Sequence, residues 1–280
     1  MKRLFILATA AIVALASCSK TQVVYTEAPE EISFKQVTNV MTKAGALQTG
    51  VLGVFAHQDA AEYFGNTQFT WNTGAFKSDK QWPLEGTLDF TVYYPYSAEA
   101  EYNVNDNVLT VPATTNIDAV YYGAERYEDR DKNNNPAVVL NHVCAKITVN
   151  FNGGDLYNFS SATIAGVNTA GNVEVDYSKN PLTVTTVAPD GGSITTGNIT
   201  FASSGADNYV LPGAQKEISV TFTQKSGSAS PIIRNATVSG TWDAHKHYVY
   251  DISVTANDMI TFTATTVDWV SAGAPATPQI

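Results

Sequence analysis

The sequence predicts an all-β protein arranged as two β-sandwiches, and three observations predict it. Thr, Val and Tyr, residue types that fit a pleated and half-buried surface, make up 75 of the 280 residues, as 33 Thr, 28 Val and 14 Tyr. Short alternating apolar and polar runs recur between Gly, Pro and Asn turn signals, and nothing sustains a 3.6-residue period over ten residues. At about 150 residues per domain, 280 residues make a chain about two domains long.

The N-terminus reads as an address. Met1-Lys2-Arg3 supplies a short positive region, Leu4 to Leu15 an apolar run, and Ala16-Ser17-Cys18 a small-residue end. This is the layout of a secretory signal, too short to span a bilayer as a permanent helix. Leu15-Ala16-Ser17-Cys18 resembles the lipobox of bacterial lipoproteins, which implies that residues 1–17 are a signal peptide and that Cys18 is acylated. More than one acyl chain is needed for stable anchoring, and a lipoprotein Cys carries two or three. The anchor places the chain at the cell envelope surface, with the outer membrane as its partner through the Cys18 lipid.

Residues 18–30 are polar and acidic, and read as a tether. Residues 31–138 are assigned to a first sandwich and 139–280 to a second. In the first, Glu31 to Val37 reads as one alternating strand. Val40 to Gln48, with Met41-Thr42-Lys43-Ala44-Gly45, reads as an exposed connection. Val51 to Ala56 is a strand, Thr67 to Lys80 a hairpin about Asn72-Thr73-Gly74, and Leu88 to Tyr96 a further strand. Val108–Val111 and Val120–Tyr122 are shorter candidates. Glu125 to Asn135, the most charged stretch, reads as a long loop.

In the second, Val138–Leu140 and Ala145–Phe151 resume the strands. Ala162–Ala165, Val173–Asp176, Leu182–Val187, Tyr209–Leu211, Ile218–Gln224, Ile232–Ser239, Tyr248–Thr255 and Ile260–Thr266 continue them.

Charge excludes some partners. The 26 Asp+Glu outnumber 16 Lys+Arg, for a net charge of −10, and loss of Lys2 and Arg3 with the signal leaves 14 basic residues. That disfavours nucleic acid, which is bound by displacing phosphate counterions, and a basic face on anionic lipid.

Catalytic chemistry is thinly supplied, with 4 His and 2 Cys. If Cys18 carries lipid, no intrachain disulfide is left, and Cys144 falls on the face of Lys146, Thr148 and Asn150 as an unreactive strand residue. Asp129-Arg130-Asp131-Lys132-Asn133-Asn134-Asn135 opens like a calcium loop but has Asn134 in place of Gly and Leu140 in place of the closing Glu. His245-Lys246-His247 offers half of a metal site, and reads instead as a turn with exposed His. No phosphate loop or nucleophile elbow occurs. No cofactor, metal or catalytic residue is assigned, and the chain reads as a non-enzyme. Trp71, Trp82, Tyr93, Tyr94 and Tyr96 offer either sandwich core or a sugar-stacking platform, so a monomeric glycan-binding surface lipoprotein is the alternative reading.

The C-terminal run carries a resemblance. Thr241-Trp242-Asp243, then His247-Tyr248-Val249-Tyr250-Asp251-Ile252, Met259-Ile260-Thr261-Phe262 and Val267-Asp268-Trp269 resemble the ending of fimbrillins, the lipoprotein pilins of the type V pilus. Trp82-Pro83 with Leu88 to Pro95 is similar to a strand of the family's first domain, and Asn141 to Ile147 to the opening of its second. The resemblance implies two transthyretin-like β-sandwiches. It also implies a fimbrial subunit with a role in cell adhesion, whose first strand is removed by a protease and replaced by a strand from another subunit. Thr42-Lys43-Ala44 stands where relatives are cut after Arg, which implies processing between Lys43 and Ala44. The short tail 270–280 carries Pro275 and Pro278, which lack the donors a central strand needs.

Overall fold

The fold is that of a computed structural model, which describes residues 30–35, 37–39, 47–115, 123–180, 182–226, 230–255 and 257–269. The described residues form strands and no helix, so the all-β class holds. The strands of the first part are β1 (Glu31–Phe34), β2 (Val37–Asn39), β3 (Val51–Gln58), β4 (Ala61–Asn72), β5 (Ala75–Gln81), β6 (Leu88–Tyr94), β7 (Glu101–Asn103), β8 (Val108–Thr114), β9 (Gly123–Arg130) and β10 (Val138–His142). There follow β11 (Ala145–Asn152), β12 (Tyr157–Asp176), β13 (Thr183–Val187), β14 (Thr195–Phe201), β15 (Ala206–Val210) and β16 (Gly213–Ala214). The last are β17 (Ile218–Gln224), β18 (Ile232–Ala236), β19 (Thr241–Trp242), β20 (Lys246–Val254) and β21 (Ile260–Asp268).

The first sheet runs β1-β5-β4-β3-β6-β9-β10-β2. Its ladders are antiparallel except β10–β2, which is parallel. Two residues separate β1 from β2, at most about 10 Å of chain from Phe34 to Val37, yet the two strands end opposite sides of the sheet path. The path therefore wraps round until its ends adjoin. Ile32, Phe34, Leu52, Val54, Phe69, Phe76, Phe90 and Leu140 fill the interior. The β4–β5 hairpin turns through Thr73 and Gly74, with φ of 44° and 88°. Positive φ at both turn residues matches the twist of the flanking strands, and Gly74 takes it without a Cβ penalty.

A second sheet runs β18-β17-β12-β8-β7, with β13 and β14 also on β12, and a third runs β15-β11-β20-β21. Val149, Ile164, Phe201, Phe222, Trp242 and Tyr250 form the core between them. There Trp242 Nε1 donates to the Tyr250 hydroxyl at 2.9 Å, so two large buried rings satisfy each other's polar atoms. The 20-residue β12 is long for a strand. Its first half pairs with β17 and β14 and its second half with β8 and β13. A register shift between Ile164 and Val167, with Gly166 at φ 69°, lets the neighbours change midway.

Several sequence expectations change here. Ala162–Ala165 and Val173–Asp176 are parts of that one strand. Glu125–Arg130, expected as loop, lies in β9, because Glu125, Arg126, Tyr127 and Arg130 pair with β6, and of its charged residues only Glu128 and Asp129 are exposed. Glu31–Val37, expected as one strand, breaks at Lys35: Ile32 and Phe34 are buried in one phase and Val37 in the other. Val120–Tyr122 lies outside the described residues. Position 138/139 falls in β10, and β8 pairs with β12 across it.

A third core sits where the sheets meet, built from Phe55, Tyr93, Leu109, Val111, Val173, Val175, Cys144 and Trp269. Trp269 follows β21 directly. Its N–H donates to the His245 carbonyl at 2.7 Å. Its ring lies flat on His142, centroids 3.5 Å apart, and stacks on Tyr209 at 5.3 Å. The Trp269→Ala variant is expected to lose about 3–5 kcal/mol of stability, the usual cost of deleting a buried Trp, measured by urea unfolding with the slope unchanged.

Candidate assembly site: the edges closed by the first two strands

β1 covers the edge of β5, with Glu31 opposite Gln81 and Phe34 opposite Phe76. β2 covers the edge of β10, with Val37, Thr38 and Asn39 opposite Val138, Val139 and Leu140. One short stretch of chain thus shields both open ends of the sheet, the unpaired edges that otherwise recruit other strands. Ile32, Phe34 and Val37 are all 0% exposed. Phe34 packs on Phe69 at 5.3 Å and edge-on against Phe90 at 5.6 Å. At about 1.5–3 kcal/mol per buried side chain, these three contribute several kcal/mol and leave a matching apolar trough when absent.

Polar contacts pin the same stretch. The Trp82 N–H donates to the Glu30 carbonyl at 2.8 Å, and the Leu47 N–H to the Val37 carbonyl at 2.7 Å. Asn135 Nδ2 donates to the Ser33 carbonyl at 2.5 Å, so the loop after β9 reaches over β1. Glu31 and Lys77 pair at 3.9 Å at the surface, which adds little. A cleft of about 520 Å³ beside β1 is lined by Ser33, Lys35, Trp82 and Asn135 among others. Sequence reasoning missed the β2–β10 ladder and the Asn135 clasp. The signal for the first was Val37, apolar but out of phase with Ile32 and Phe34; the second has no local signal.

Lys43 and Ala44, Cys18 and the tail 270–280 lie outside the described residues. Lys43 and Ala44 fall in the segment between Asn39 and Leu47.

The other candidate residues are dispersed. Cys144 was expected on the Lys146 face; it precedes β11, escapes that strand's alternation and is 0% exposed in the third core. Burial pushes its thiol up to about 12, so little thiolate forms at neutral pH. His245 was expected to be exposed. It sits at φ 64° in the turn before β20, with both ring nitrogens buried and unbonded. Burial, aided by Lys246 and opposed by Asp268, pulls its pKa down to about 4. His247 Nε2 lies 2.7 Å from the Thr148 hydroxyl instead of pointing with His245. Asp131 Oδ1 accepts from the Asn133 and Asn134 N–H groups, and caps its own turn. Among the described residues no His, Cys, Asp or Glu cluster could hold a metal ion. Trp82 and Tyr93 are buried, at 6% and 1% exposure, and the platform of aromatic residues is broken up.

The comparison with family models identifies one family. A family model described as fimbrillin-like matches residues 37–269. The chain belongs to the fimbrillin-like family. Among solved structures, the fimbrillin-like chain is similar to a candidate cell adhesion protein from Bacteroides uniformis. The match has 21% identity over 86% of this chain and 99% of that one, with a TM-score of 0.57. A candidate cell adhesion protein from Bacteroides ovatus aligns at 12% identity over 88% of this chain and 100% of that one, with a TM-score of 0.52. Both likenesses concern the fold. No curated protein sequence matches the fimbrillin-like chain.

Two outcomes test the local chemistry. Cys144 is expected to resist thiol reagents in the native state and to react once in denaturant. His245, neutral when folded and near 6.5 when unfolded, takes up its proton on unfolding. Stability is therefore full above pH about 6.5 and falls toward pH 4 by up to about 1.4 kcal/mol per unit. The lowered carboxylates Asp176, Asp258 and Asp268 act only below the ordinary carboxylate range. Urea midpoints across pH 4.5–7 check this: His245→Gln is expected to reduce the slope, and His57 and His247, also lowered by burial, to contribute what remains.

Proposed function

We propose that the chain is a structural subunit of a cell-surface fimbria with a role in adhesion, assembled by β-strand addition after β1 and β2 are removed. The observation that carries this reading is the closure of both sheet edges by residues 31–39, just ahead of Lys43 and Ala44. A cut between Lys43 and Ala44 would detach both strands together. It would free the edges of β5 and β10 and empty the trough of Ile32, Phe34 and Val37.

The geometry constrains any replacement. An incoming strand must run antiparallel to β5 and parallel to β10, as β1 and β2 do. It must also present apolar side chains at the spacing of residues 32, 34 and 37. Main-chain hydrogen bonds then give affinity and the trough gives register. The neighbouring subunit supplies that strand, whether a second copy or a different pilin. Function on this reading lies in the sheet edge and involves no reaction.

Lipid on Cys18 would hold the precursor at the outer membrane until the cut frees it. Processing after Lys43 requires a protease whose pocket accepts a compact ammonium as well as a planar guanidinium.

The test is the N-terminus of the chain recovered from intact surface fibres, read by mass spectrometry. Ala44 is expected as the first residue. Lys43→Ala is expected to leave an uncut chain at the cell surface and absent from fibres, and Cys18→Ala to abolish incorporation of a palmitate analogue. A fibre-borne chain that still begins at Cys18 overturns the strand-removal mechanism.

A further inference from the structure

β21 stands out among the strands that end a sheet path. It is nine residues long, against three to five for β1, β2, β7, β15 and β18. Among the described residues it pairs with β20 alone, through nine consecutive pairs without a bulge. Short length, charge, proline or a bulge normally protects such an edge. β21 has no proline and one charged residue, Asp268 at its end, which Lys246 of β20 already pairs. Seven of its nine residues are exposed, Thr263 to Asp268 without a break.

Two hydrogen bonds fix which backbone groups are free. The Trp269 N–H donates to the His245 carbonyl at 2.7 Å, and the Thr255 N–H to the Met259 carbonyl at 2.8 Å. Residues 259 and 269 thus turn their backbone groups toward β20. So do residues 261, 263, 265 and 267 between them, because the direction alternates along a strand. Ile260, Phe262, Ala264, Thr266 and Asp268 therefore point their N–H and C=O groups away from β20, along the free edge. Arg234 Nε donates to the Asp258 carbonyl at 2.8 Å, so β18 caps the chain just before that edge begins.

We propose that the free edge of β21 pairs antiparallel with β21 of a second copy, about a two-fold axis at Ala264. Full overlap sets Ala264 opposite itself, Phe262 opposite Thr266 and Ile260 opposite Asp268 of the second copy. About ten main-chain hydrogen bonds form, and two four-stranded sheets become one. The strip is complementary to itself. The two Asp268 carboxylates fall at opposite ends, so no like charges meet. Met259 and Val267, 60% and 47% exposed on one face, come within diagonal reach of each other across the seam. The competing occupant is the chain's own tail. Pro275 and Pro278 stand at odd and even positions, so any regular strand through both turns one missing donor toward β21. This edge belongs to a different sheet from those closed by β1 and β2, and the pairing is independent of the fimbrial reading.

Sedimentation equilibrium of the full chain in about 0.15 M salt tests it. A monomer–dimer equilibrium with a Kd on the order of 10 μM is expected, because a single strand edge is a small interface. The seam is nearly uncharged and the chain carries −10, so about 0.5 M salt should tighten the dimer or leave it unchanged. Ala264→Lys sets two ammonium groups opposite each other at the axis and is expected to weaken the dimer about tenfold or more. Ala264→Pro removes an N–H that faces the second copy and none that β20 uses, with the same expectation. Ile233→Lys alters an exposed apolar residue of β18 and should leave the dimer unchanged. In a Cys18→Ala chain, Ala264→Cys is expected to give a disulfide-linked dimer under mild oxidation, since directly paired Cα atoms lie about 5.5 Å apart. That cross-link reports the register even where the lysine and proline variants fail to fold. A chain still monomeric at about 100 μM overturns the proposal. So does a dimer that neither Ala264→Lys nor Ala264→Pro weakens, or that Ile233→Lys weakens as much. An assembly larger than a dimer, or a chain that dimerises only after residues 270–280 are removed, overturns it as well.

Discussion

The buried contact of Phe34 with Phe69 and Phe90, flanked by Ile32 and Val37, is the constraint on which the eight-stranded sheet depends. A twisted sheet of that length has two edges and an apolar inner face, and both must be hidden. Here one segment hides them all, because it changes partner midway. β1 lies on β5, the chain crosses at Lys35, and β2 lies on β10. The closing element is thus short and continuous, paired through its backbone and seated by three buried side chains. On the proposed function, it is this element that another strand would replace.

The remainder of the molecule is tied to that sheet by the third core. β8 comes early in the chain, yet its ladder is with the far half of β12. Tyr93 from the first sheet, Val175 from the second and Trp269 from the end of β21 meet in one apolar cluster. Trp269 fixes the last described residue against His142 and Tyr209, so the two ends of the described chain sit on different cores. Loss of β1 and β2 would therefore open the first core and leave the other two packed.

Buried polar groups divide into those that are answered and those that are not. Trp242 and Tyr250 answer each other, and Arg126 is held by Asp89, Glu128 and Asn107. His245 and Arg130 keep unbonded buried nitrogens. For His245 the consequence is a neutral ring that resists protonation. Neither pattern follows from the strands on which these residues sit.

The sequence by itself determined the all-β class, the strands with clean alternation and the family. The hairpin at Thr73-Gly74, the alternation of Ile147 and Val149, and the ordered ending from Trp242 to Trp269 are local patterns, and period 2 translates directly into a buried face. Tertiary structure decided what local pattern cannot carry. Glu125–Arg130 is a strand because β6 offers it an edge, while β10 pairs with the Gly123 and Ala124 that precede it, whatever its charge. Cys144 and the ring nitrogens of His245 are buried because other elements close over them, which no spacing in the chain records. The candidate assembly site was half legible: the apolar strand and Lys43-Ala44 could be read, whereas its bridging of β5 and β10 depends on which edges lie together in space.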